Sequence, residues 1–262
     1  MSERLTLVTG ATGFLGATLV QQLVDAGEAV RILRRSSSLL DLLGDAANAI
    51  EHALGDVTDF ASVRAAMDDI THVYHAAAFI GFGGKNEAER LMQVNVGGTA
   101  NVADAAREAG VERLVHVSSI AALGRTLHPQ GVIDETAVWR SSKANTAYAV
   151  SKHRAEMEVQ RAIAEGLDAV LVNPALIFGP GRSGENTLEI AEKLRDGTLP
   201  ASASGGTCVV DVADVAAGMQ AAMAWGTTGE RYLLGGENLP WTTILNTLAD
   251  ALGVAPPRYT LP

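Results

Sequence analysis

The stretch AYAVSKHRAE, Ala147 to Glu156, places Tyr148 and Lys152 four residues apart in a segment that reads as a helix. Residues at i and i+4 share one helix face, one turn above the other, so the phenol and the ammonium point the same way. A free tyrosine has a pKa of about 10 and carries protons poorly at neutral pH. An ammonium one turn away favours phenolate, which lowers that pKa toward a value useful in general acid–base catalysis. A hydroxyl facing the pair would hydrogen-bond a substrate oxygen and orient it. Ser119 is the candidate, in the loop after the apolar run ending at Val117, with Ser118 as the second choice. The plain alternative is an exposed helix pair contributing a few tenths of a kcal/mol. The position of Tyr148 and Lys152 downstream of a serine-bearing loop favours chemistry.

The elements that must position these groups alternate between short apolar runs and longer helical segments. Leu5 to Val8 reads as a strand and Phe14 to Ala26 as a helix closed by Gly27. Strands follow at Ala29 to Leu33 and Ile50 to Leu54, then a helix from Phe60 to Met67 and the strand His72 to His75. Glu87 to Glu108 reads as one long helix stopped by Gly110, Arg113 to Val117 as a strand, Ala144 to Ala164 as the helix with the opening motif, and Ala169 to Val172 as the next strand. Apolar strands joined through helices imply an α/β fold, a Rossmann-type doubly wound parallel sheet covered on both faces with right-handed crossovers. Residues 1–173 are assigned to this domain. Residues 174–262 are read as a small C-terminal substrate-binding cap, partly threaded back into the main sheet where CVVDVADV gives a strand and a helix start.

Directly after the first strand comes TGATGFLG, Thr9 to Gly16. Gly10, Gly13 and Gly16 allow a tight turn, a close backbone approach to phosphate, and close packing of helix on strand. Thr12, Gly13, Phe14 and Leu15 would then offer amides to a pyrophosphate at the positive helix end. The spacing is GxxGxxG rather than GxGxxG.

With the further motifs GDVTD (Gly55 to Asp59), HAAA (His75 to Ala78), NVGGT (Asn95 to Thr99), VSSIAALG (Val117 to Gly124), YAVSK and NPALIFGPG (Asn173 to Gly181), the chain resembles the extended, epimerase/dehydratase-like branch of the short-chain dehydrogenase/reductases. The resemblance covers most of the chain. It implies that Asp56 and Val57 contact the adenine, that Ala76, Ala77 and Ala78 pass the ribose, and that Pro174, Ala175, Leu176 and Ile177 line the nicotinamide. Val117, Tyr148 and Lys152 join the implied cofactor contacts, Lys152 holding the nicotinamide ribose. The family's catalytic serine matches Ser119, and Asn95 is expected to fix the helix behind the site. Asp56 also reads as an ordinary turn residue, and His75 as a satisfied core histidine.

An NAD site usually ends its second strand with an acid bonded to the ribose 2′-hydroxyl. This chain instead has RILRRSSS, and no acid appears before Asp41. Arg34 and Arg35 can pair with a 2′-phosphate and Ser36 can add a hydroxyl, so NADP(H) is expected in preference to NAD(H).

The related sugar 4,6-dehydratases carry an Asp-Glu pair directly after the catalytic hydroxyl residue, whereas here Ile120 and Ala121 follow Ser119. That argues against elimination. Epimerases and reductases share the Ser-Tyr-Lys set, and the arginines tilt the balance to a carbonyl reductase resembling the dihydroflavonol 4-reductase group. An epimerase of a nucleotide sugar is the alternative, for which Arg182, Lys193 and Arg195 could serve a diphosphate; a non-catalytic nicotinamide sensor is more remote. Phe79, Phe82, Leu123, Trp139 and Phe178 are expected near the nicotinamide as an apolar mouth, or else they pack the cap.

Composition bounds the rest. The chain has 262 residues, 47% hydrophobic and 19% charged, with a formal charge of −10. Its acidity (pI about 5.0) is a poor match for nucleic acid or anionic lipid. Cys208 has no intrachain partner, Met1 to Arg4 is too short and polar for a signal peptide, and no apolar run approaches the roughly 20 residues of a membrane span. A cytoplasmic enzyme acting on a small carbonyl compound is expected, with no metal, and with a possible homodimer through the helices led by Glu87 and Ala144.

Overall fold

The computed structural model describes residues 5–81, 85–124, 133–183 and 186–261. From the N-terminus, β1 (Leu5–Thr9) leads into α1 (Phe14–Asp25), followed by β2 (Ala29–Arg34), β3 (Glu51–Leu54), α2 (Phe60–Ala66) and β4 (His72–His75). Then come α3 (Lys85–Leu91), α4 (Gly98–Ala109), β5 (Arg113–Val117), α5 (Ala147–Ala164), β6 (Ala169–Pro174), β7 (Leu176–Phe178) and α6 (Asn186–Arg195). The remainder comprises β8 (Ala201–Ala203), β9 (Gly206–Asp211), α7 (Val212–Trp225), β10 (Arg231–Leu234), β11 (Glu237–Pro240), α8 (Trp241–Leu252) and β12 (Tyr259–Leu261).

Seven strands form one sheet in the order β10-β6-β5-β4-β1-β2-β3. The pairs β1–β2, β1–β4, β2–β3, β4–β5 and β5–β6 are all parallel. This is the doubly wound order, in which the chain reverses direction between β1 and β4 and opens a crevice at the carboxyl ends of the strands. Every residue of β4 and of β6 is buried, as a parallel sheet covered on both faces requires. One face of the core packs Leu7, Val73, Leu114 and Leu171 from the strands against Val63, Val102, Ala106 and Val159 from the helices.

Local chemistry sets the element ends. The Thr146 side chain accepts from the Ala149 amide at 3.1 Å and so starts α5, which begins three residues later than the run from Ala144 suggests. Gly110, at φ 71°, ends α4. The segment read as one helix from Glu87 to Glu108 is interrupted: α3 and α4 are joined by a π-helical stretch, Met92–Gly97. Residues inserted into a helical ladder in this way re-aim side chains, and here Asn95 is turned into the interior at 1% exposure.

The chain divides into two compact units, Met1–Asn173 with Ala216–Leu233, and Pro174–Val215 with Leu234–Pro262. In the second unit β9 pairs with β7 and β11, and β12 pairs with β8. The CVVDVADV strand therefore does not enter the main sheet as expected. An apolar alternation announces a strand without naming its neighbour. The segments that belong with the first unit are most of α7 and β10. No helix among the described residues is long and apolar enough to cross a membrane.

Leu171, fully buried at the centre of β6, tests this core. Leu171→Ala should cost about 2–5 kcal/mol through lost contacts and a residual cavity, read as a lower denaturant midpoint.

Candidate active site

The three glycines after β1 make room for different things. Gly10 has φ +71°, and a Cβ there would lie 2.5 Å from the Ala77 nitrogen and 2.7 Å from the Ala76 oxygen. A Cβ on Gly16 would overlap the Gly10 carbonyl. Both are glycine because the protein's own backbone occupies the space. Gly13 differs: it sits at φ −88° as the residue capping α1, and its only close neighbour would be the Gly10 oxygen at 3.3 Å. No side chain caps the start of α1 and its first turn carries no acid. A helix start left to its backbone amides, with a side-chain-free residue in front of it, fits an anionic phosphate group. The residues present therefore fit a dinucleotide, whose phosphates Thr12 to Leu15 would cradle.

At the far end of that crevice, a cleft of about 330 Å³ is lined by Arg35, Asp56, Thr58, Glu89, Arg90 and Val94, among others. Asp56 closes a turn by accepting the Thr58 amide at 2.9 Å and the Thr58 hydroxyl at 2.8 Å on one oxygen. Burial works to raise its pKa, but these bonds and the charges of Arg35 and Arg90 hold the carboxyl below its ordinary value. Val57 is buried against Gly98, whose Cβ would meet the valine at 2.8 Å, and its carbonyl accepts from Asn101 at 2.8 Å. Arg34 and Arg35 diverge. Arg34 donates to His52 Nδ1 at 2.8 Å and is absent from the cleft lining, whereas Arg35 lines it. Arg90, whose guanidinium carbon stands 4.4 Å from the Phe79 ring centroid, supplies the second cation there. Arg90 lies far from the arginine cluster in sequence, on a helix where a lone arginine reads as a solvated face.

The catalytic candidates converge at the carboxyl ends of β5 and β6. Ser119 caps a short 3₁₀ turn, Ile120–Leu123, by accepting the Ala121 amide at 3.2 Å. Its hydroxyl hydrogen-bonds the Tyr148 phenol. Ser118, the second choice, is buried at 4% exposure with no partner for its hydroxyl. Lys152, also 4% exposed, donates to the Val117 carbonyl at 2.9 Å. Burial pulls its pKa down to about 8, with the Glu156 carboxylate pulling the other way. The phenol behaves differently from the expectation. Burial pushes Tyr148 above the ordinary tyrosine value, and the Ser119 bond offsets part of this. In the protein alone Tyr148 is thus a proton donor across the neutral range, because desolvation of the phenolate outweighs its stabilisation.

The supporting groups are buried and specific. Asn95 accepts the Phe79 amide at 2.7 Å, donates to the Phe79 carbonyl at 3.0 Å, and donates to Ser151 at 3.0 Å. It thereby ties the Ala76–Phe79 segment to α5. The Thr99 hydroxyl donates to the Asn95 carbonyl at 2.6 Å, so its oxygen accepts from His75 Nε2 at 3.0 Å, and His75 Nδ1 accepts from Thr9 at 2.7 Å. Both ring nitrogens are used and burial drives the His75 pKa to about 3, which makes it a neutral core residue. Glu156, not singled out in the sequence, lies one turn beyond Lys152 at 2% exposure. Its Oε1 accepts from Asn173 at 2.6 Å, and Asn173 also donates to the Ser119 carbonyl at 2.9 Å. The signal was present in the i, i+4, i+8 row Tyr148, Lys152, Glu156, but a helix glutamate usually faces water.

The other expected residues are placed as follows. Leu123 is 3% exposed in the core, Trp139 stacks on His153 at 4.3 Å, Phe178 belongs to the second unit, and Phe82 lies outside the described residues. Pro174 closes β6, and Leu176 and Ile177 begin β7 beyond Ala175. Lys193 and Arg195 are paired with Glu189 and Asp196. A second cavity, about 370 Å³, is lined by Thr6, His72 and Trp225 among others, at the amino ends of β1 and β4, away from the catalytic candidates.

The family model of the NAD dependent epimerase/dehydratase family matches residues 6–235. The chain is 39% identical to sterol demethylase protein B of Methylococcus capsulatus over 98% of its length and 77% of that protein's. It is 37% identical to a putative dihydroflavonol 4-reductase of Synechocystis over 97% of its length and 74% of that protein's. Among solved structures, that of gox2253 superposes with a TM-score of 0.89 at 35% identity, covering 98% of this chain and 77% of that one. A match across both the nucleotide loop and the Tyr-Lys helix makes the chain an NAD(P)-dependent enzyme of the extended short-chain dehydrogenase/reductase type, a member of the NAD dependent epimerase/dehydratase family.

Proposed function

We propose that this enzyme is an NADP(H)-dependent reductase that converts an aldehyde or ketone to its alcohol. The observation that carries the reading is the Ser119–Tyr148 hydrogen bond beside a buried Lys152, with the phenol held protonated by its surroundings. A protonated phenol suits the reductive direction, in which a carbonyl oxygen gains a proton as its carbon gains a hydride. The nicotinamide, when bound, supplies that hydride. Tyr148 gives its hydroxyl proton to the oxygen, Ser119 donates a hydrogen bond to the charge developing there, and Lys152 holds the cofactor ribose and places positive charge near the phenol. The absence of an acid pair after Ser119 and the reductase names among the relatives, such as the Synechocystis protein, support reduction over elimination. The preference for NADP(H) rests on Arg35 and Arg90 lining the cleft near Asp56, where a 2′-phosphate would meet two guanidinium groups.

Three measurements test these assignments. Tyr148→Phe keeps the ring but removes the proton; it should bind NADPH nearly as the wild type does and lose about 10²–10⁴-fold in turnover. Undiminished turnover would move the acid role to another residue. For the cofactor, Arg35→Ala should weaken NADPH by about tenfold or more, as expected for a charge-assisted contact of about 1.5–3 kcal/mol, and leave NADH little changed. Arg34→Ala should do less, since that side chain is engaged with His52; equal losses for both cofactors in the Arg35 variant would refute the 2′-phosphate role. Finally, Gly13→Val should give a folded protein, by circular dichroism and thermal melting, that no longer quenches or enhances NADPH fluorescence. Normal binding by that variant would place the phosphates elsewhere.

A further inference from the structure

Glu156 is a carboxylate at 2% exposure, and a charge so deeply placed persists only with partners on several sides. Those partners come from three elements. Asn173 on β6 donates to Oε1 at 2.6 Å, Arg231 on β10 brings a guanidinium nitrogen to 3.3 Å from Oε2, and Lys152 lies one turn back on α5. The Arg231 contact is an ion pair without hydrogen-bond geometry, so Oε2 has charge compensation but no donor of its own. The same Asn173 amide also holds the Ser119 carbonyl at 2.9 Å. One carboxylate is therefore connected to the serine by a single side chain and to the lysine by electrostatics along one helix face.

The other groups around this pair carry no compensating negative charge. Toward Lys152, His75 on β4 and His116 on β5 are both driven neutral, first by burial, and Tyr148 is neutral on the same helix. Toward Glu156 itself, His153 feels the carboxylate along with Arg154 and Arg231. Among these groups Glu156 is the only anion.

We propose that Glu156 is the positioning residue of the Ser119–Tyr148–Lys152 set, keeping the buried Lys152 charged and, through Asn173, fixing the peptide of Ser119. The role rests on the reading that Lys152 serves the reductase chemistry, but it is an electrostatic property of the protein alone. Arg231 moderates it by drawing off part of the carboxylate's field.

The test reads Lys152 directly. The chain has four lysines, Lys85, Lys143, Lys152 and Lys193, so ε-carbon labelling gives a simple spectrum in which Lys152→Met identifies the Lys152 resonance. In the wild type this resonance should titrate with a midpoint of about 8. Glu156→Gln keeps the shape and the acceptor for Asn173 but removes the charge, and should lower the midpoint by about one pH unit. Arg231→Met, at a more exposed position, should raise it, and Glu156→Asp should restore it toward the wild-type value. The alkaline limb of kcat/KM against pH should move with the midpoint in each variant. An unmoved midpoint in Glu156→Gln, or shifts of the same sign in Glu156→Gln and Arg231→Met, would overturn the assignment. Should Glu156→Gln fail to fold, an unchanged or lowered midpoint in Arg231→Met would do so alone. Opposed shifts without turnover of any carbonyl compound in a broad panel would instead sink the reductase reading and leave the Glu156 role standing.

Discussion

A lysine ammonium with 4% of its surface exposed is the constraint to which the rest of this site is fitted. Leaving such a group without partners costs several kcal/mol in a low-dielectric interior, and a lysine can avoid that only by losing its proton. Here the Val117 carbonyl takes one of its donors and the Glu156 carboxylate lies one turn further along the helix. These two requirements dictate which elements must be neighbours. The end of β5 supplies a carbonyl, α5 supplies the row of side chains, and β6 and β10 supply the asparagine and arginine that make a buried glutamate tolerable. The strand order β5-β6-β10 is thus an electrostatic arrangement as well as a hydrophobic one.

The nucleotide end is governed by space rather than charge. Gly10 and Gly16 are filled around by the protein's own backbone, so the loop after β1 is a packing solution in its own right. Only Gly13 leaves its room mostly unused by the chain. The π-helical stretch between α3 and α4 does complementary work on the opposite side of the crevice. By turning Asn95 inward it pins the Phe79 peptide on one hand and Ser151 on the other, fixing the backbone that follows His75 with respect to the helix bearing Tyr148. The backbone from Ala76 to Phe79 is thereby held at both ends, by β1 at Ala76 and by Asn95 at Phe79.

What could be read in the sequence was what depends on local pattern. Apolar runs and turn residues placed β4 and β5 to the residue, and the Tyr148–Lys152 spacing required only that α5 be a helix. The π-helical interruption was invisible, because a helix with one altered turn keeps nearly the same hydrophobic rhythm. The destination of β9 does not follow from its sequence, since strand propensity is local and strand pairing is not. The role of Glu156 is hidden for a related reason: its burial depends on partners 17 and 75 residues away, Asn173 and Arg231. For the tyrosine's pKa the sequence shows only the charged neighbour, whereas desolvation, the larger effect, exists only once the chain is folded.

Desolvation acts on Tyr148 and Lys152 in opposite senses on the pKa scale but toward the same end, the neutral form of each. The phenol rises above its ordinary value and the ammonium falls to about 8. A pair left to burial alone would therefore drift to neutral phenol and neutral amine, which can still donate a proton but offers no positive charge to the oxygen that has lost one. Glu156 opposes only half of that drift. It supports the charge on Lys152, whereas the Ser119 hydrogen bond, which lowers the phenol's pKa, is weaker than burial. The resulting state, a protonated phenol beside a charged amine, is suited to giving a proton to an alkoxide and then tolerating the phenolate that remains. The charge on Lys152 therefore leans on a single buried carboxylate on the lysine side of the row, and it is that charge which meets the phenolate left when Tyr148 gives up its proton.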